Sequence, residues 1–122
     1  MRERCSIVCN WPAWTVVKAN EFAHRHALSP FVVYEGKLNA AEREIEREIV
    51  PMCKSERMGI TVWSPLGGGK FKSAAQSKEG EGRGRTYTGD VGSASTETFQ
   101  KGLLALEKVA ERKNTSTTSV AL

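Results

Sequence analysis

The stretch WSPLGGGKF, Trp63 to Phe71, places three glycines and a lysine just after an aromatic residue. Such a composition can bring backbone N–H groups and an ammonium onto an anion. The two phosphate-cradling fingerprints of fixed spacing do not match it. A P-loop would need Gly at 64 and Ser or Thr at 71, where the chain has Ser64 and Phe71, and a dinucleotide fingerprint from Gly67 would need Gly at 72, which is Lys72. Tyr34 and Lys37 miss the Tyr-x-x-x-Lys spacing of a proton-transferring pair by one residue. His24 and His26, two apart on a helical stretch, do not share a face and read as surface residues. Cys5, Cys9 and Cys53 include no Cys-x-x-Cys pair, so reduced, partly buried thiols are expected and no metal site.

The elements that must position this stretch can be read from periodicity and breakers. SIVC suits a short strand, and NWPAW puts Pro12 where the first turn of a helix tolerates it. A helix follows over Ala13 to Ala27, with Val16 or Val17, Ala19 or Asn20, and Ala23 at helical spacing, until Ser29-Pro30 stops it. PFVVYEG, rich in β-branched and aromatic residues without alternation, predicts a strand covered on both faces of a parallel sheet. Asn39, three residues before Glu42, resembles a capping box opening a helix over AAEREIEREIVPMCKSERM, with Ile45, Ile49, Met52 and Cys53 inward and the charges in water. Pro51 predicts a kink or a break into two short helices, and Gly59 is expected to end the second. ITVW makes a third strand and delivers Trp63 at its carboxyl end. A last long helix spans about Thr96 to Lys113, with Phe99, Leu103, Leu106, Val109 and Ala110 in one stripe, and NTSTTSVAL starts another with a Thr or Ser cap.

The order β-α-β-α-β-loop-α implies a parallel sheet with helices on its faces, and sites in such sheets lie at the carboxyl ends of the strands. CNW, YEGKLN and WSPLGGGKF all reach that edge. The glycines then give a loop whose backbone approaches a ligand, Trp63 offers an aromatic face, and Lys70 with free N–H groups suits phosphate.

Length and composition set the bounds. The 122 residues allow one domain, with a long flexible loop at about 67–95. No apolar run approaches membrane-spanning length and no signal-peptide pattern opens the chain, so a cytoplasmic protein without a membrane partner is expected. The net charge of +4 favours phosphorylated ligands only diffusely. The most basic stretch, Gly69 to Asp90, is interrupted by Glu79 and Glu81 and offers only Phe71 and Tyr87 for stacking; it reads as a solvated loop, and no nucleic-acid partner is expected.

Taken in order, PAW at 12–14, PFVVYEGKLNA at 30–40, EREIEREIVPMCKSERM at 42–58, WSPLGGGKFKS at 63–73 and RKNTSTTSVAL at 112–122 resemble the second half of an aldo-keto reductase of the fungal aryl-alcohol dehydrogenase branch. The resemblance implies an α/β fold, part of a (β/α)8 TIM barrel, to which this chain contributes strands five to seven. It implies NADP as cofactor and an aromatic aldehyde or alcohol as substrate of the full-length family. Asn10 matches the residue that bonds the nicotinamide carboxamide, with Cys9 where a Ser is usual. Glu35 stands where the family has Gln, so an amide donor is replaced by an acceptor-only carboxylate. Trp63 matches the aromatic that stacks on the nicotinamide, and Ser64, Pro65, Leu66, Gly67 and Lys70 match the loop that holds the pyrophosphate. The family's catalytic Asp, Tyr, Lys and His come from earlier strands, and Tyr34 and Tyr87 do not replace them. A truncated reductase without catalysis of its own is therefore expected, with docking onto a full-length relative through exposed sheet edges as the alternative.

Overall fold

A computed structural model describes residues 6–71 and 96–122. Cys5, Tyr87 and most of the expected loop at 67–95 lie outside the described residues. Two compact units emerge, one built from the chain up to Leu38 together with Glu44–Trp63, the other from Asn39–Arg43 and the chain from Ser64 onward.

The first unit is a three-stranded parallel sheet in the order β1-β2-β3, formed by β1 (Ser6–Cys9), β2 (Phe31–Lys37) and β3 (Gly59–Trp63). The crossovers are made by α1 (Ala13–Arg25) and, after a single turn of tighter helix at Glu44–Glu46, by α2 (Ile49–Ser55). Val8 and Tyr34 of the sheet pack with Ala13, Val16, Ile49, Met52, Cys53 and Met58 into one apolar core, with Phe31 and Ile45 at its margin. The ambiguity along α1 resolves to Val16, Asn20 and Ala23 as its inward residues, with Ala13. Asn20 is buried because it serves the backbone of Phe31, accepting from the Phe31 N–H at 2.8 Å and donating to the Phe31 carbonyl at 3.3 Å. It thus gives a partner to both polar groups of the Phe31 backbone.

The expectation of a β2 covered on both faces is corrected. Tyr34 and Gly36 are buried, but Val32 is exposed and Val33, Glu35 and Lys37 are only half-buried, and β3 is exposed along nearly its whole length. Three strands present one face to the helices, and nothing among the described residues of this unit covers the other.

The helix expected to open at Asn39 is also corrected. Asn39 Oδ1 does accept from the Ala41 and Glu42 N–H groups, and its amide donates to the Glu42 carboxylate at 2.8 Å, but only the single tighter turn at Glu44–Glu46 follows and no α-helix opens there. The α-helix begins only at Ile49, so that Pro51 falls in its first turn, where its missing N–H has no intrahelical partner to lose. Gly59 opens β3 rather than ending α2. The left-handed residue after α2 is Arg57, at φ 56°, and the Met58 N–H then closes onto the Cys53 carbonyl at 2.8 Å. The same closure ends α1, with Ala27 left-handed and Leu28 N–H on Ala23, which stops that helix before Ser29-Pro30 is reached.

The second unit contains α3 (Thr96–Lys113) and α4 (Thr117–Ala121) with the glycine loop. Ser116 caps α4 by accepting from the Ser119 N–H at 3.1 Å, as its Thr/Ser-rich start suggested. Phe71, Phe99 and Leu106 form its core, with Ala40, Ala41, Leu103, Val120 and Ala121 against them. Val109 is 38% exposed and leaves the predicted stripe. Gly102 lies on that stripe instead, so close to Phe71 that a Cβ there would sit 3.3 Å from its ring.

Candidate functional site

At the carboxyl edge of the sheet, parallel register sets Cys9 opposite Glu35 and Glu35 opposite Thr61, with Lys37 opposite Trp63 one step further on. Alternation along each strand puts Cys9, Glu35, Lys37, Thr61 and Trp63 on the face away from the helical core. Asn10 follows β1 in the left-handed region at φ 55°, its N–H donating to the Glu35 carbonyl at 3.2 Å. This tight turn leaves the Asn10 amide exposed at the end of the strand. It is not a helix cap: α1 is opened by Pro12 with no side-chain bond.

Trp63 reaches back across β2. Its indole Nε1–H donates to Asn10 Oδ1 at 3.3 Å, joining the ends of β1 and β3. The Lys37 ammonium lies 5.4 Å from the Trp63 ring centroid, within the range of a cation–π contact. Asn10, Glu35 and Trp63, singled out from the sequence, are therefore brought to one edge. Lys37 and Thr61 join them and were not singled out. The signal for Lys37 was present, since it lies two residues beyond Glu35 on the same strand and so faces the same way.

The charges at this edge act on one another. Partial desolvation on the sheet face, and second the Glu35 carboxylate, push the Cys9 thiol above its ordinary value of 9.0, although the residue as a whole is exposed. Both effects disfavour the thiolate, so Cys9 is a neutral thiol at neutral pH and a poor nucleophile. Tyr34 is no acid for this edge either. It is 3% exposed, its hydroxyl donates to the Trp11 carbonyl at 2.8 Å, and burial, followed by Cys9, Cys53 and Glu48, pushes its pKa above 10.0.

The glycine loop belongs to the second unit. Ser64, Gly67, Gly68 and Gly69 all have positive φ, and Gly67 is buried beneath the Phe71 and Phe99 rings. Ser64 opens the loop with its carbonyl accepting from the Gly67 N–H at 2.9 Å and from the Asn39 amide at 3.3 Å. Pro65 and Leu66 are half-buried, and the Lys70 ammonium stands 4.3 Å from the Phe99 ring centroid. The expectation of free N–H groups is corrected at three positions: those of Gly67, Gly69 and Lys70 donate to the loop's own carbonyls on Ser64, Leu66 and Gly67. A loop this tight satisfies its donors internally, which spacing in the sequence could not reveal.

Among the described residues no group of three or more His, Cys, Asp and Glu is placed to hold a metal ion, and no helix is long and apolar enough to cross a membrane.

Comparison with known proteins gives these features a context. The chain is 42% identical over 115 residues to norsolorinic acid reductase A of Aspergillus parasiticus, covering 93% of this chain and 27% of that protein. It is 45% identical over 120 residues to an aryl-alcohol dehydrogenase [NADP(+)] of Phanerodontia chrysosporium, covering 94% of this chain and 31% of the other. A solved glycerol dehydrogenase of Gluconobacter oxydans superposes with a TM-score of 0.59 at 20% identity, over 97% of this chain and 35% of that one. The chain thus spans about a third or less of the length of these relatives. Its three parallel strands and flanking helices are a partial α/β barrel fold. The aldo/keto reductase family model matches residues 4–122, through every strand and helix described above, and the chain belongs to that family.

Proposed function

We propose that this chain is the cofactor-contacting part of an NADP-dependent oxidoreductase that interconverts aromatic alcohols and aldehydes, and that these 122 residues by themselves turn over no substrate. The observation that carries the reading is the hydrogen bond between Trp63 and Asn10 beside Glu35, which sets an aromatic face and an amide at one sheet edge. These groups fit a nicotinamide: the Trp63 face for the ring, the Asn10 amide and Glu35 carboxylate for the carboxamide. Ser64, Pro65, Leu66, Gly67 and Lys70 would serve the pyrophosphate. There the fit is poorer, since three backbone donors are used within the loop, and Lys70 adds a positive charge. NADPH, when bound, supplies the hydride for carbonyl reduction. The proton must come from a group other than Tyr34, whose hydroxyl is engaged in the core.

The test is titration of the purified chain with NADPH, followed by calorimetry and by the Trp63 indole resonance. Weak saturable binding is expected, with a constant of roughly 1 mM or above, only about −4 kcal/mol. Trp63→Ala should abolish it, and no reduction of an aromatic aldehyde should accompany it. An indole resonance unmoved by NADPH up to ~10 mM would overturn the cofactor reading. Aldehyde reduction by the chain alone would overturn the inactivity.

A second reading is an interaction module. Among the described residues β1 and β3 each pair only with β2, so each has an outer side suited to strand addition. Co-expression with a full-length aryl-alcohol reductase and size-exclusion chromatography should then show co-elution; separate peaks at all concentrations would exclude it.

A further inference from the structure

We infer that Glu35 makes this edge select the oxidised form of the cofactor, NADP+, over NADPH. The inference rests on the cofactor reading above and concerns what the ring's charge does there. The oxidised nicotinamide ring carries a positive charge and the reduced ring is neutral; the ribose, pyrophosphate and 2′-phosphate groups are shared. Any difference in affinity between the two forms therefore reports the electrostatics where the ring sits.

Two features of this edge bear on a cationic ring. Glu35 is half-buried in the central strand, in register between Cys9 and Thr61. A carboxylate on a half-buried sheet face is less screened than one in open water. Independently, the Trp63 ring already has a cation over it, the Lys37 ammonium at 5.4 Å. The negative face of an indole attracts an ammonium and a pyridinium for the same reason. A neutral dihydronicotinamide gains from neither. Lys37 marks where a positive charge is stabilised, and its own charge opposes the arrival of a second. Glu35 and Lys37 should thus act in opposite senses on the same ratio.

The full chain is titrated in parallel with NADP+ and NADPH, following the indole Nε1–H resonance of Trp63, assigned with Trp63→Phe. NADP+ is expected to bind about three- to tenfold more tightly, a preference that shrinks as salt is raised. In Glu35→Gln, which keeps the size and removes the charge, the ratio should fall toward one, and in Lys37→Met it should rise. Equal affinities in the unmodified chain, a preference for NADPH, or a preference for NADP+ that is undiminished in folded Glu35→Gln would each overturn the inference while leaving the cofactor reading intact. Should Glu35→Gln fail to fold, the ratio in the unmodified chain and its salt dependence still decide. Failure of both forms to move the resonance at ~10 mM would instead remove the cofactor reading, and this inference with it.

Discussion

The indole of Trp63 donates to the side-chain carbonyl of Asn10 at 3.3 Å, spanning the central strand of the sheet. Breaking this exposed bond should cost no more than about 1 kcal/mol. Asn10 also sits at φ 55°, a conformation that Asn tolerates and Ala does not. Asn10→Gly should therefore shift the Trp63 indole resonance with little loss of stability, while Asn10→Ala should show the same shift and a further loss of about 1 kcal/mol. Equal stabilities for the two variants would show that the backbone there carries no strain.

Asn20 is 2% exposed and holds both polar groups of the Phe31 backbone. Asn20→Ala leaves them without that partner and should destabilise the chain by about 2–3 kcal/mol. Asn20→Asp should also be destabilising, because a carboxylate cannot donate to the Phe31 carbonyl. Urea midpoints for the three proteins check the ranking.

Adjacent glycines of the loop should respond differently to the same change. A Cβ on Gly67 would meet the Phe99 and Phe71 rings at 2.8 and 2.9 Å, whereas one on Gly68 would meet nothing within 4 Å. Both have φ near 60°, so Gly68→Ala carries the left-handed penalty alone, about 1 kcal/mol, and Gly67→Ala should cost at least about 1 kcal/mol more through displaced rings. Thermal unfolding of the two variants separates them.

Arg57 ends α2 in a conformation suited to glycine. Arg57→Gly should raise stability by about 0.5–1 kcal/mol, provided the Met58 to Cys53 closure is kept. An unchanged or lower urea midpoint would contradict this.

Cys9, Tyr34 and Cys53 all have raised pKa values in the folded chain, chiefly through burial. Between the ordinary value and the raised one, the folded chain keeps protons that the unfolded chain has lost. The stability these groups contribute is thus fully present below about pH 9 and lost as pH rises through their folded values. The urea midpoint should fall as pH rises above about 9, and Glu35→Gln should speed alkylation of Cys9 at pH 8 by lowering its pKa.

By itself the sequence determined the order of the elements and the chemistry available at their ends. Strand, helix and breaker signals are local, and so the parallel β-α-β-α-β order, the bounds of α3 and the Ser116 cap could be read directly, as could the placing of Asn10, Glu35 and Trp63 at strand ends. Tertiary structure decided what each element faces. The hydrophobic run in β2 predicted burial on both sides, but covering a face requires elements that the run itself does not encode, and its outer face carries Glu35 and Lys37 in half-open positions. The helix ends at Ala27 and Arg57 carried no glycine signal, because the backbone closures onto Ala23 and Cys53 offset the strain. The Asn39 turn satisfied its capping pattern without nucleating an α-helix, and the same side chain also bonds the Ser64 carbonyl 25 residues on, a contact invisible to any local window.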